Sequence, residues 1–227
     1  MTVLDVLPIV VLGGVLGLDV VTFPQAMLAR PIVAATVAGA FAGNAIAGLS
    51  LGAILELIAL ETLPFGASRY PEWGSASVVG GAVYAAQPGA PSSALVAGVL
   101  ASLLTAIVSG RSMVTLRRMN ARRAARLQRS LDAGSSSAIV GLQIFGLTAD
   151  LVRGLIVTLA GLIVFGPLTS TIVGAWRGDD EYSRATVAAV AAAVAAGAVW
   201  KIFHSVARAR FLFLTGAVAG AIILLER

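Results

Sequence analysis

Acidic, amide and basic side chains are set into an otherwise apolar stretch near the amino terminus. These residues are Asp19, Gln25, Arg30, Glu56 and Glu61, and prolines and glycines lie close to them. Carboxylates and amides form paired hydrogen bonds with neighbouring hydroxyl groups, so these side chains suit a neutral, hydroxylated ligand. Glu56 is the first candidate for such a contact, Gln25 and Asp19 come next, and Glu61 is the weakest candidate.

The same residues do not form a catalytic pair. On one continuous helix Glu56 and Glu61 would point about 140° apart, at roughly 100° per residue. Arg30 is expected either to neutralise a carboxylate or to hold a broken backbone. The sequence has no cysteine and a single histidine, His204, which excludes thiol catalysis and a metal site built from Cys or His. We therefore expect neither catalytic residues nor a cofactor or metal.

The composition is that of an integral membrane protein. Hydrophobic residues make up 58% of the 227 positions, charged residues 12%, and the mean hydropathy is +0.94. The 25 glycines favour helices that pack closely through small side chains. The predicted fold is an all-α, polytopic helical bundle with broken or re-entrant helices, and residues 1–227 form one membrane domain.

The run between Arg30 and Glu56 contains 25 uncharged residues. As one helix it would reach roughly 37 Å, enough to cross a hydrocarbon core of about 30 Å. Helix breakers at its edges, including Pro64 and Gly66, predict irregular backbone, which a membrane tolerates where the backbone lines a cavity. Glu56 therefore has two interpretations: a ligand contact, or a structural carboxylate that bonds to a neighbouring helix or lies at the interface.

Further apolar segments predict the rest of the bundle. The segment at 75–87 is too short for an ordinary span, so it either returns as a re-entrant hairpin or continues as a kinked helix into the next segment. Asp150 and Arg153 share a helix face and can pair, in a structural role or in transport. The other expected membrane segments are residues 6–22, 92–110, 138–170, 185–200 and 211–225.

An arginine-rich interval follows the segment at 92–110. Its seven arginines beside a membrane segment indicate a cytoplasmic loop at about 111–137. The interval serves either topology and contact with anionic lipid, or the docking of an acidic partner. Nucleic acid is not expected, because no aromatic residues are interleaved with the arginines. The candidate docking residues are Arg117, Arg118, Arg122, Arg123 and Arg126.

The order of several motifs resembles a known family. Asp19, Gln25 and Arg30-Pro31 are followed by VAATVAGAFAGN, GLSLGAILELIAL and LPFGASRYPEWGSASVVGG. This order resembles the membrane IIC subunit of the mannose/sorbose class of the bacterial sugar phosphotransferase system (PTS). The match is close over roughly residues 15–85, and the remaining chain agrees in hydropathy and loop charge.

The resemblance implies a multi-pass, sugar-translocating permease subunit of the bacterial cytoplasmic (inner) membrane. It implies a IID membrane subunit and the phosphocarriers IIA and IIB as partners, and we also expect a homo-oligomer. Phosphorylated histidines lie on the A and B components of that family, in agreement with the isolated His204. The alternative is a non-transporting membrane scaffold or sensor that recruits PTS phosphocarriers.

Two positions depart from the pattern of the family. Asn44 stands where Asp is common, and Glu61 stands where Gly is frequent. If an acid at position 44 contributes to sugar binding or gating, Asn44 implies a different sugar preference or a loss of transport. Asn44 and Arg30 are therefore included among the candidate sugar-site residues.

Overall fold

The computed structural model describes residues 3–20, 22–62 and 70–225. In these ranges all regular structure is helical, which confirms the predicted fold class. Among the described residues, four helical stretches are long and apolar enough to cross a membrane, namely Ala45–Thr62, Ser92–Arg126, Ser136–Ala175 and Asp180–Phe203. The helices are α1 (Val3–Asp19), α2 (Pro31–Phe41), α3 (Ala45–Ala59) with a 3₁₀ turn (Leu60–Thr62), α4 (Trp73–Ala85), α5 (Ser92–Arg126), α6 (Gln128–Asp132), α7 (Ser136–Ala175), α8 (Asp180–Phe203) and α9 (Ala209–Leu225).

Large apolar side chains cover much of the outer surface. Leu100 and Leu104 on α5 and Ile156 and Ile163 on α7 are each more than half exposed, as is Leu212 on α9. A helix exterior of this kind is stable in lipid but not in water. The arrangement identifies a multi-pass membrane protein.

The run from Arg30 to Glu56 is not a single span, and that prediction is wrong. The chain reverses after α2, where Gly43 has a φ of +92° and the Asn44 side chain caps α3 by accepting from the Ala47 amide at 3.0 Å. α2 and α3 then pack against each other along their lengths. The uncharged run folds as a helical hairpin, so Arg30 and Glu56 lie at the same end of it.

Glycines permit this close hairpin. A Cβ on Gly48 would lie 2.3 Å from the Ala35 carbonyl oxygen, and one on Gly52 would lie 2.9 Å from the Ile32 Cα. Small residues therefore pack α2 against α3, in the way that the glycine content predicts for the bundle. Backbones that approach this closely gain van der Waals contact without large side chains.

The short segment after the first hairpin also reverses. α4 is buried along its whole length and packs against α5. The Glu72 amide donates to the Ala106 carbonyl at 3.0 Å, whereas Gly98 lies against Tyr84, so the two helices are antiparallel. Of the two sequence-based alternatives for residues 75–87, the returning hairpin is confirmed and the kinked continuation is excluded.

The arginine-rich interval is helical where an irregular loop was expected. α5 continues past the predicted segment at 92–110 as far as Arg126, and α6 carries Arg129. A turn through Gly134, at a φ of +72°, then leads into α7. We call residues 111–129 the basic segment; its placement on the cytoplasmic side stays a prediction.

The remaining helices differ from the sequence predictions mainly in their ends. α1 ends at Asp19, three residues before the predicted end of the first membrane segment at residue 22, and it packs against α7. α7 is longer than the predicted segment at 138–170 and includes Pro167. Pro64 and Gly66, the predicted breakers, lie outside the described residues.

Candidate functional site

Asp19 organises the loop that joins α1 to α2. Its side chain is buried at the end of α1, and its two carboxylate oxygens accept from the backbone amides of Ala26 at 2.7 Å and Ala29 at 2.8 Å. Gln25 and Met27, in the same loop, take left-handed backbone conformations with φ near +60°. A carboxylate that satisfies two backbone donors fixes a loop that would otherwise leave them unpaired. Asp19 thereby sets where Gln25 lies.

Arg30 and Glu56 meet at the open end of the α2–α3 hairpin. The Arg30 guanidinium donates to a Glu56 carboxylate oxygen, and the Ile32 amide donates to the other at 3.2 Å. Glu56 thus lies at the amino-terminal end of α2, where the helix dipole favours a negative charge. The Glu56 side chain is 20% exposed and that of Arg30 39%. This pairing explains how a carboxylate is held within an apolar helix.

A cavity of about 390 Å³ lies beside the loop and the hairpin. Asp19, Gln25 and Arg30 contribute polar groups to it, and Tyr70 and Trp73 contribute aromatic surface. Its volume is that of a small-molecule site, in which a few convergent polar groups are set in a mainly apolar wall. The other described lining residues are Val20, Met27, Ala29, Pro31, Ala59, Thr62 and Pro71.

The structure brings three of the predicted site residues to this cavity and leaves three off its described wall. Glu56 is not among the described lining residues, but it bonds to Arg30, which is. Glu61 lies in the 3₁₀ turn and forms an exposed ion pair with Lys201 at 2.8 Å. Asn44 caps α3 at the far end of the hairpin, roughly 18 Å along the helix axis from Glu56 at 1.5 Å per residue. A sugar contact by any of these residues stays a prediction.

Two aromatic residues were missed by the sequence reasoning. Trp73 is the first residue of α4, and its indole Nε1 donates to the Thr62 hydroxyl at 3.0 Å, which orients the ring at the cavity. Tyr70 precedes α4 and is half-buried. Their signal in the sequence was the YPEW stretch, in which aromatic side chains flank a proline and an acid just before an apolar helix.

A buried polar network stands beside the cavity. Arg153 donates to Asp150 at 2.7 Å, which confirms the predicted pair, and to the Ser109 hydroxyl at 2.7 Å. Ser109 donates in turn to Glu72 at 2.6 Å, and Glu72 is fully buried and caps α4 through the Ser75 amide. The network ties α4, α5 and α7 together.

The network also reaches the loop that borders the cavity. The Thr22 hydroxyl donates to the second carboxylate oxygen of Asp150, so α7 is bonded to the loop that carries Gln25. Asp150 therefore accepts both from Arg153 and from a residue of the cavity loop. Glu72 was missed as the third charged member, although an acid directly before an apolar helix is typical of an N-cap.

Comparison with known proteins decides the family. A family model described as the sorbose-specific IIC component of the PTS matches residues 3–179. The chain belongs to this family. Membership confirms the resemblance seen in the sequence and makes this IIC chain a component of a PTS sugar permease. The comparison with curated proteins finds no match.

Solved structures share the fold of this IIC chain. One is a cryo-electron microscopy structure of the mannose transporter ManYZ in complex with microcin E492, with a TM-score of 0.62 and 18% identity over 97% of this chain and 87% of that chain. Another, described only as a membrane protein, has a TM-score of 0.63 and 19% identity over 100% of this chain and 96% of that chain. The similarity covers the fold of almost the whole IIC chain.

Proposed function

We propose that this IIC chain binds a neutral sugar in the cavity beside Asp19 and moves it inward for phosphorylation by a B component. One observation carries the proposal: the cavity combines Asp19, Gln25 and Arg30 with the aromatic residues Tyr70 and Trp73. Hydrogen-bonding side chains match the hydroxyl groups of a sugar, and an aromatic face matches the apolar face of the sugar ring. We propose Gln25, Arg30 and Asp19 as the sugar contacts.

The charge balance at the cavity favours a neutral ligand. Glu56 neutralises Arg30, so the pair offers guanidinium donors without a net charge. Both oxygens of Asp19 already bind backbone amides, but a carboxylate has about four acceptor positions and retains capacity for a hydroxyl. An anionic ligand such as a sugar phosphate would be repelled by Asp19, because Arg30, which could offset that charge, is already paired with Glu56. The site therefore suits the sugar before phosphorylation, not after it.

The proposed partners follow from the family and from the basic segment. A IID membrane subunit and the phosphocarriers IIA and IIB would complete the system in the bacterial inner membrane. Arg118, Arg122, Arg123 and Arg126 are exposed on α5 and form a positive surface. We propose that they dock an acidic face of the B component, with further copies of the chain assembling in the membrane.

A matched pair of Glu→Gln variants tests the proposal. Uptake of radiolabelled mannose and sorbose is measured in cells that express the full chain with its partner subunits. Glu56→Gln weakens the hold on Arg30 and should reduce initial uptake by roughly tenfold, as expected for the loss of a charge-assisted hydrogen bond. Glu61→Gln removes an exposed pair with Lys201 and should leave uptake unchanged. Normal uptake in Glu56→Gln, at equal protein in the membrane, would contradict the site.

The exposed arginines also favour a second candidate, a scaffold or sensor that recruits phosphocarriers without moving sugar. Under this alternative the intact chain supports no sugar-dependent uptake with its partners present. Replacement of Arg118, Arg122, Arg123 and Arg126 by Ala would still abolish co-sedimentation of the B component with membranes. Uptake by the intact system would exclude this alternative, and salt-sensitive co-sedimentation would support the docking surface under either function.

A further inference from the structure

Tyr70 and Pro71 stand between two hollows in the protein. Both line the candidate sugar cavity, and both also line a second hollow of about 290 Å³. The rest of the described wall of the second hollow comes from Ile107, Gly110, Arg111 and Val114, where α5 passes from apolar to basic sequence. Tyr70 and Pro71 therefore lie between the sugar cavity and a hollow at the start of the basic segment.

Arg117 holds Tyr70 in this position. Its Nη2 donates to the Tyr70 hydroxyl at 2.7 Å, and its guanidinium carbon lies 5.4 Å from the centroid of the ring. A second donation, to the Met113 sulfur at 3.6 Å, directs the guanidinium back along α5. The combination of a charge-assisted hydrogen bond and a cation–π contact fixes both the hydroxyl and the plane of the ring.

The other arginines of the basic segment are placed differently. Arg117 is half-buried, whereas the remaining six in residues 111–129 are exposed: Arg111, Arg118, Arg122, Arg123, Arg126 and Arg129. Arg117 was predicted from the sequence as a docking residue, but its donors are directed at Tyr70. Its environment fits an internal contact better than a partner surface.

The backbone around Tyr70 is fixed from the same helix. A Cβ on Gly110 would lie 2.4 Å from the Tyr70 carbonyl oxygen, so only glycine allows this approach without a shift. Two residues on, the Glu72 amide donates to the Ala106 carbonyl, and the Glu72 side chain accepts from Ser109. Because this backbone is fixed on α5, the part of Tyr70 that can move is its side chain, and the contact with Arg117 sets the position of that side chain.

We infer that the Tyr70 ring, held by Arg117, is the barrier that separates the sugar cavity from the side of the basic segment. Rotation of the ring away from Arg117 would join the two hollows and give the cavity an outlet beside the proposed docking surface. Arg117 is thus a positioning residue that acts through Tyr70. Its part in sugar release rests on the proposed function, but the barrier itself is a property of the chain alone.

The absence of cysteine from this 227-residue sequence makes the barrier directly measurable. Ala59→Cys places a single thiol in the wall of the sugar cavity, on α3. Its rate of labelling by a charged, membrane-impermeant thiol reagent is measured in inverted vesicles and in right-side-out spheroplasts that carry the full chain. In a separate chain Arg118→Cys, at an exposed position of the basic segment, identifies which preparation presents that side.

One further substitution at a time is then introduced into the Ala59→Cys chain. Tyr70→Ala removes the ring, Tyr70→Phe removes only the acceptor for Arg117, and Arg117→Ala removes the donor. Each should raise labelling from the basic side by roughly ten- to a hundredfold, the factor expected for losing a hydrogen bond to a charged donor. Arg117→Lys, which keeps a donor, should restore most of the barrier, and Arg129→Ala, at an exposed position of the same basic segment outside the proposed docking surface, should leave the rate unchanged.

The side of access separates the barrier from general loosening of the protein. The inference is supported if labelling rises only from the basic side in variants that elute as the parent chain does on size exclusion. It is overturned if the Tyr70 and Arg117 variants label at the parent rate, if labelling from both sides accelerates alike, or if Arg129→Ala has the same effect. Because labelling needs no sugar, this result is independent of whether Glu56→Gln reduces uptake.

Discussion

Replacement of Arg153 by Met tests the buried network most severely. The Arg153 side chain is 8% exposed, and the carboxylates of Asp150 and Glu72 around it are 4% and 0% exposed. Met keeps much of the volume and removes the charge, so two buried carboxylates are left without a cation. Removing one partner of a buried ion pair typically costs about 3–5 kcal/mol, since the remaining charge is neither solvated nor paired.

The expected loss is large enough to measure as a shift in melting temperature. For a chain of this size 1 kcal/mol corresponds to roughly 2–4 °C, so Arg153→Met should lower Tm by roughly 6–20 °C. The assay is thermal unfolding of the purified chain in detergent, followed by circular dichroism. Lys201→Met is the matched control: its pair with Glu61 is exposed, with 70% of the lysine side chain accessible, and its loss should cost less than about 1 kcal/mol.

A double substitution identifies the cause of the shift. Asp150→Asn in the Arg153→Met chain removes one of the stranded charges and should recover part of the lost Tm, which a simple packing defect at position 153 would not do. The Thr22 hydroxyl can still donate to the amide oxygen that this substitution provides, so the contact with the cavity loop is retained. Equal Tm values for Arg153→Met and Lys201→Met would refute the reasoning, because the buried pairs of Arg153 would then stabilise the protein no more than the exposed pair of Lys201 does.

Three further predictions concern the hairpin and the cavity. Gly48→Ala forces a Cβ to 2.3 Å from the Ala35 carbonyl oxygen and should cost about 1–3 kcal/mol in thermal unfolding, whereas Gly197→Ala, with no neighbour within 4 Å, should be neutral or stabilising. Asn44→Ala loses the α3 cap and should cost about 1 kcal/mol, while Asn44→Asp keeps an acceptor for the Ala47 amide and should leave both Tm and sugar uptake unchanged. Altered uptake in Asn44→Asp would show that the far end of the hairpin takes part in transport. Trp73→Phe should abolish a sugar-dependent change in tryptophan fluorescence that Trp176→Phe retains, since Trp73 lines the cavity and Trp176 does not lie among its described lining residues.

Composition and local spacing were enough to predict the fold class and one of the two buried ion pairs that Arg153 forms with described residues. Asp150 and Arg153 are three positions apart, so helix geometry alone places them on one face, and they pair as expected. The returning hairpin at 75–87 was one of two alternatives that the sequence offered, because the segment is too short for an ordinary span. These successes depend on relations within one helix or on length, both of which the sequence displays directly.

The hairpin between Arg30 and Glu56 could not be predicted from hydropathy. The run is long enough to span, and its mean apolarity is the same whether the chain continues or reverses. The reversal depends on Gly43 in a left-handed conformation and on the cap at Asn44, a single turn signal among many glycines. Tertiary contact decided the outcome, because the close approach of Gly48 to Ala35 exists only once the chain has reversed.

The reversal also joins the two interpretations of Glu56 that the sequence left open. In a spanning helix Arg30 and Glu56 would lie at opposite ends, and Glu56 would need either a ligand or a neighbouring helix as its partner. In the hairpin the two residues meet, so Glu56 is a structural carboxylate that caps α2 and pairs with Arg30. Arg30 in turn lines the cavity, so the same contact that closes the hairpin sets the charge presented to a ligand. The structural role of Glu56 and its proposed role in sugar binding therefore depend on the same contact with Arg30, and a substitution at Glu56 should affect the hairpin and the cavity together.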